Sequence, residues 1–275
     1  MDIISGEKIQ KLADIYIGST IDNFTWNPAI GISNKNLLIN DIPDKYDNPK
    51  IIFCYGHCLS DFYHKLDNFM NDFVLISGNT DENITENKYK KMADHSKIIK
   101  WYSQNVCFKH DKLVPFTIGI ANEQWVHGNS KVFIDICNQI TNKNENIYFN
   151  FDLNTNIKRV ECYNKLIKYI PFLNKINPID NFKRLGTYKF CICPEGNGVD
   201  THRLAECWYL RVVPIVLEND FINIINKKTA LPLIILKDWN DLINMKLDYN
   251  DYNFNSYSFI NFNHFKNEIN LLRNI

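Results

Sequence analysis

The chain has 275 residues, enough for one large or two small domains, and its 45% hydrophobic and 13% aromatic content argues for a real core rather than a disordered coil. With 31 basic and 31 acidic residues the formal net charge is zero, which gives no support to a nucleic-acid partner. No run of about 18 apolar residues occurs, so no membrane span is expected.

Met1-Asp2-Ile3-Ile4 lacks the basic start and apolar core of a secretory leader. The eight cysteines therefore read as reduced, mostly buried thiols in a cytosol-like compartment. Cys54-x3-Cys58 and Cys191-x-Cys193 match neither a metal-finger nor a thioredoxin spacing. The abundance of Asn, Ile and Lys reads as the bias of an AT-rich genome.

In chain order, residues 1–48 carry least. Ile9, Leu12 and Ile15 allow a short amphipathic helix, while Thr20–Asn27 and Lys35–Asp41 are mixed segments read as strand or loop, structural padding on a first domain. Ile51–Cys54 is an apolar strand, and Leu59–Phe69 has helical spacing. Between them His57 sits at a strand's C-terminal end, where α/β sheets place ligands, though a surface or core-edge histidine is the plainer reading. Phe73–Ile76 is the next strand, and Asp81 in the loop after it suits a cleft or the cap of a helix from Asn83 to Ala93. Strands are expected at Lys97–Tyr102 and Val114–Ile118, with His127 beyond them as an exposed histidine or a second cleft candidate. Val132–Asn142 has helical spacing, and the polar run 142–146 marks a boundary. Ile147–Phe151 then opens a second domain, and Asn154-Thr155-Asn156 leads into a helix Ile157–Ile167 that carries Arg159. Repeated strand–helix units predict parallel sheets of Rossmann type.

The chemistry concentrates between Tyr188 and Glu218. Tyr188–Cys193 is a strand stopped by Pro194; Gly196-Asn197-Gly198 follows, suited to positive φ or to a close ligand. Asp200 or Thr201 can cap a helix from His202 to Leu210, and Val212–Leu217 is the next strand, with Pro214 placed at its first residue. A helix N-terminus behind a glycine loop attracts phosphate. Arg203 in the first turn can fork onto a diphosphate, and Glu206, on the same helix face, can accept from ribose hydroxyls. The same pair also suits a plain solvated ion pair beside an ordinary loop. Beyond it, Glu218–Phe221 reads as a loop, Leu231–Leu236 as a strand and Phe262–Leu272 as a last amphipathic helix.

Residues Pro194–Leu217 resemble the exostosin-like glycosyltransferases, whose signature pairs a Gly-Asn-Gly loop with Asp-x-His-Arg, a following Glu and an apolar Pro-Ile-Val strand. Two upstream blocks, Trp101–Asn129 and Phe73–Glu82, resemble further elements of that family, so the likeness spans roughly Ile51 to Trp239. Departures are Ala205 and Cys207 around Glu206, Arg211-Val212 where relatives carry Gly-Cys, and Gly78 where they carry His.

The resemblance implies an α/β fold of GT-B type, two Rossmann-like lobes with a cleft between them. Residues 1–142 would form the acceptor lobe and 143–275 the donor lobe, with the last helix able to pack back on the first. The reaction implied moves a sugar from a UDP- or GDP-linked donor to the hydroxyl of a glycan or glycoprotein acceptor, with inversion. Catalytic candidates are Arg203 on the leaving diphosphate and Asp81 or His57 as base. Donor-binding candidates are Gly196, Asn197, Gly198, Asp200, Thr201, His202, Arg203 and Glu206, with Thr155, Asn156 and Arg159, which equally suit capping and a solvated face. No Asp-x-Asp pair stands at a strand end, so no metal and no cofactor beyond the nucleotide sugar is expected. Neither a pyridoxal-binding lysine context nor an early Gly-x-Gly-x-x-Gly supports a phosphorylase or an epimerase; a non-catalytic nucleotide-sugar or glycan-binding module is the remaining alternative. A cytoplasmic microbial or viral enzyme, in the host cytoplasm if viral, completes the expectation.

Overall fold

The computed structural model describes residues 2–25, 31–47, 49–255 and 257–273. Two parallel sheets organise it, giving an α/β fold. The first has six strands in the order β2-β1-β3-β4-β5-β6: β1 Ile15–Gly18, β2 Asn36–Leu38, β3 Ile51–Tyr55, β4 Phe73–Gly78, β5 Ile98–Ser103 and β6 Leu113–Pro115. The second runs β10-β9-β8-β7: β7 Glu145–Tyr148, β8 Tyr188–Ile192, β9 Val213–Leu217 and β10 Ile234–Leu236. Every residue of β3 and β4 is buried, as strands covered on both faces require.

The helices are α1 Gly6–Gln10, α2 Ile21–Thr25, α3 Leu59–Tyr63, α4 Glu86–Asp94, α5 Ser130–Gln139, α6 Ile157–Leu166, α7 Pro178–Gly186, α8 His202–Tyr209, α9 Asp220–Lys228 and α10 Phe262–Leu272. One buried cluster fills the first sheet and takes in Phe265 and Ile269 of α10. Two clusters sandwich the second sheet, one gathering α5, α7, α8 and α9, the other α6. Phe133 of α5 stacks edge-on against Phe182 of α7, so α5 packs with the second sheet's cluster although it precedes that sheet in the chain. In the other direction, α10 lies on the first sheet: Phe265 packs against Tyr102 and Phe116, and the Tyr102 hydroxyl donates to Glu268 at 2.7 Å. Lys143, in the polar run read as a boundary, donates to the carbonyls of Gly186 and Leu210 at 2.6 Å each, where α7 and α8 end. Burial pushes its ammonium down to about 8.

Several elements differ from expectation. The first 48 residues are not padding: they supply β1, β2 and α1, with Ile15 in a strand rather than a helix and a helix at 21–25 where a strand or loop was expected. Positions 26 and 27 of that expected segment lie outside the described residues. The helix expected at Leu59–Phe69 ends at Tyr63, and a 3-10 turn at Leu66–Asn68 still buries Leu66 and Phe69. The strand expected to Ile118 stops at Pro115, because the backbone beyond it bonds elsewhere: Ile118 N–H donates to Asp200 and the Gly119 carbonyl meets His202. Similarly β7 ends at Tyr148, its chain continuing with the Phe149 and Asn150 carbonyls accepting from Leu173 N–H and Arg203. Pro214 is the second residue of β9, an interior strand; β10 begins to pair only at Ile215, so the missing N–H costs no ladder bond on that side. Among the described residues no helix is long and apolar enough to cross a membrane.

Candidate functional site

Two cavities adjoin at the C-terminal ends of the strands. The first, of about 390 Å³, is walled by the segments that follow β7 and β8, by the first turn of α8 and by Asp81 beyond β4. The second, of about 550 Å³, is lined by Tyr55, His57, Asn79, Asn122 and Trp125 among others. Asp81, Ile118 and His202 line both, so they stand at the junction.

The loop 196–202 is stitched across to the first sheet. Asn197 Nδ2 donates to Asp81 Oδ2 at 3.3 Å, Val199 N–H to Asn83 Oδ1 at 3.2 Å and Asp200 N–H to Asn105 Oδ1 at 2.9 Å. Asp200 Oδ2 accepts from Ile118 N–H at 2.6 Å. Neither Gly196 nor Gly198 has positive φ. Gly198 is glycine for another reason: a Cβ there would meet Asn105 Oδ1 at 2.8 Å, so the close approach is to the facing sheet's own side chain. Positive φ falls instead on Asn79 and Asn105, both just past strand ends, and on Gly119.

Thr201 occupies the N-cap of α8 with extended backbone, but no side chain caps the helix; Asp200 turns away to Ile118. The first N–H groups of α8 are thus left without a side-chain cap at the cavity wall. Asp200 is only 4% exposed, its Oδ1 has no hydrogen-bond partner, and burial raises its carboxyl to about 7.

Arg203 and Glu206 form an ion pair, Nε to Oε2 at 3.0 Å, yet not a solvated one: both side chains are largely buried and line the first cavity. Arg203 also donates to the Asn150 carbonyl at 2.9 Å and lies over the Tyr148 ring. Burial opposes its charge, but Glu206 and the surrounding groups outweigh that and hold the guanidinium protonated. Arg159 enters the same cavity from α6, donating to the Glu195 carbonyl at 2.9 Å and to Thr155 Oγ1 at 3.1 Å. Burial and the nearby Arg203 push its affinity for a proton down. Two guanidiniums thus line one cavity, each disfavouring the other's charge. The solvated face expected for Arg159 is not what forms.

Thr155 lines the first cavity, whereas Asn156 does not. Asn156 caps α6 by accepting from Lys158 N–H and ties down the glycine loop by donating to the Gly196 carbonyl at 2.6 Å. Asp81 is exposed and lines both cavities; it caps nothing, since α4 starts later, after Thr85. His57 lies in the second cavity alone, its Nε2 3.0 Å from the Asn23 side-chain amide. His202 places Nδ1 2.9 Å from the Gly119 carbonyl, a contact in which Nδ1–H donates. His127 is half-buried in the first cavity rather than exposed, stacked on Trp125, and burial holds its pKa below the ordinary value.

Wall residues that sequence reasoning passed over include Asn150, Phe151, Asp152, Lys175 and Pro178. Asn150 and Phe151 were read as the end of the strand Ile147–Phe151, which stops at Tyr148 and so releases them to the cavity wall; Asp152 alone had a signal, directly after that apolar run. A cluster of thiols that no spacing announced lies beneath Arg203. Cys193 Sγ is 3.7 Å from Cys207 Sγ, and with Cys191 the three sulfurs lie within 4.8 Å of one another. No family model matches this chain, and no curated protein matches it.

Proposed function

We propose that the chain is a glycosyltransferase of GT-B type that moves a sugar from a nucleoside-diphosphate donor to an acceptor hydroxyl. The observation that carries this reading is the pair Arg159 and Arg203, brought from two helices to one cavity beside the α8 N-terminus that no side chain caps. Such a constellation suits a diphosphate, whose charge grows as the sugar leaves. Phe151, Ile176 and Pro178 offer an apolar wall for the nucleobase, and Glu206, still on the cavity surface, an acceptor for ribose.

The acceptor belongs in the second cavity, where Asn23, Asn79 and Asn122 meet Tyr55 and Trp125, amides for hydroxyls and rings for sugar faces. The reacting bond then lies at the junction. His202 and Asp81 both line it, so the base is one of these two; His57 serves acceptor binding instead. An in-line attack across the junction gives inversion.

A donor screen read by mass spectrometry, following hydrolysis of UDP- and GDP-linked sugars, tests the reading. Turnover of one donor supports it. Tight binding of a donor without turnover, in the presence of glycan acceptors, replaces it with a non-catalytic nucleotide-sugar-binding module.

A further inference from the structure

We propose that Cys191, Cys193 and Cys207 form a binding site for one thiophilic divalent cation of the zinc and cadmium class. The site is independent of the transferase reading. Cys191 and Cys193 are two apart along β8 and its extension, so their side chains leave the same face of the sheet. Cys207 comes down on them from α8, and all three residues are buried. Around an ion with metal–sulfur bonds of about 2.3 Å, three sulfurs stand about 4 Å apart. The observed 3.7 Å between Cys193 and Cys207, with all three sulfurs within 4.8 Å, requires only small side-chain shifts.

Charge favours a divalent ion. Binding converts the three cysteines and M²⁺ into a trithiolate complex with one negative charge, releasing to solvent the proton of each sulfur that enters as a thiol. Arg203, one helical turn before Cys207 on α8, shares its positive charge between Glu206 and the sulfurs. Soft sulfur ligands select against magnesium and calcium. Among the described residues no fourth His, Cys, Asp or Glu joins the group, so the coordination is three-sulfur. Cys193 also lines the first cavity, which gives the ion a way in.

The test uses the full reduced chain with Cd²⁺ alone as probe. One ion per chain is expected, with a sulfur-to-cadmium charge-transfer band, about two to three protons released per ion in weak buffer, and a ¹¹³Cd resonance in the sulfur-only range. Cys207→Ser and Cys193→Ser should each weaken binding about 100-fold or more, while Cys58→Ser and Cys162→Ser leave it unchanged. The proposal is overturned by a resonance typical of nitrogen or oxygen ligands, or by Cd²⁺ affinity indifferent to both Cys193→Ser and Cys207→Ser. Should those variants fail to fold, the resonance and proton count of the wild-type chain decide alone.

Discussion

The two adjoining cavities are built from opposite materials. The first is charged: Arg159, Arg203 and Lys175 stand against Asp152, Asp200 and Glu206. The second holds no Arg or Lys; apart from the carboxylates of Asp22 and Asp81 it is walled by three asparagines and the rings of Tyr55, His57 and Trp125. Its polar groups are already knitted together, Asn79 donating to Gln10 at 2.7 Å and accepting from Asn122 at 3.2 Å, while Gln10 donates to Tyr55 at 3.1 Å. A charged pocket pays off for a ligand whose charge changes during reaction; an amide-and-ring pocket recognises hydroxyls and sugar faces without caring about charge. Under the proposed transfer reaction the donor would take the first cavity and the acceptor the second, and that division can be broken at specific residues.

The largest effect is expected at Arg203. Arg203→Ala should lower turnover about 10²–10³-fold, the usual cost of one leaving-group stabiliser, with a smaller change in acceptor KM. Equal loss of donor and acceptor affinity at unchanged kcat would break the division. Glu206→Ala should raise donor KM and also lower stability, by about 3–5 kcal/mol in chemical denaturation, since it strands the buried guanidinium that it now pairs. Glu206→Gln, which retains an acceptor for Nε, should be much milder.

Gly198→Ala should cost about 1–3 kcal/mol, because the new methyl displaces Asn105 and with it the acceptor of Asp200 N–H. A variant as stable as wild type would show that the stitch between the sheets is soft. At Asp200 the sign follows from a carboxyl raised to about 7 when folded and lying near 4 when unfolded. The folded state holds the proton more tightly, so this contribution to stability is complete below about pH 4 and is lost as pH rises through 7. Asp200→Asn should flatten that slope in melting temperatures measured from pH 4 to 8; an unaltered slope assigns the dependence elsewhere. Smallest is Trp125→Ala, on the second cavity, expected to raise acceptor KM several-fold, about 1 kcal/mol, and to leave donor hydrolysis alone.

Apolar runs and amphipathic spacing were legible where an element makes its own pattern. Phe262–Leu272 has the bounds its spacing predicts, and β3 and β4 lie on the apolar runs Ile51–Cys54 and Phe73–Ile76. What escaped depends on partners distant in sequence. β1 and β2 are only four and three residues long, and become strands because β3 offers β1 an edge and β1 in turn offers one to β2. The helix α7 had readable signals, Asn177 as cap and Pro178 in the first turn, that went unused. In the site, Arg203 and Glu206 were visible as a cation and an acid on one face, but not that they pair in a buried wall. Gly198 was visible as special, yet its cause is Asn105, 93 positions upstream. Likewise Cys191-x-Cys193 carries no metal signature by spacing, and only the packing of α8 adds the third sulfur.

The central claim is that the first cavity holds a nucleoside diphosphate between Arg159 and Arg203. Calorimetric titration of the wild-type chain with UDP- and GDP-linked sugars, repeated across ionic strength and with inorganic pyrophosphate as competitor, tests it most directly. The account predicts one site per chain that weakens as salt rises, is displaced by pyrophosphate, and loses at least tenfold in affinity in Arg159→Ala, a loss of about 1.4 kcal/mol or more. Absence of binding by any of these donors, or binding indifferent to salt, pyrophosphate and Arg159, would contradict it.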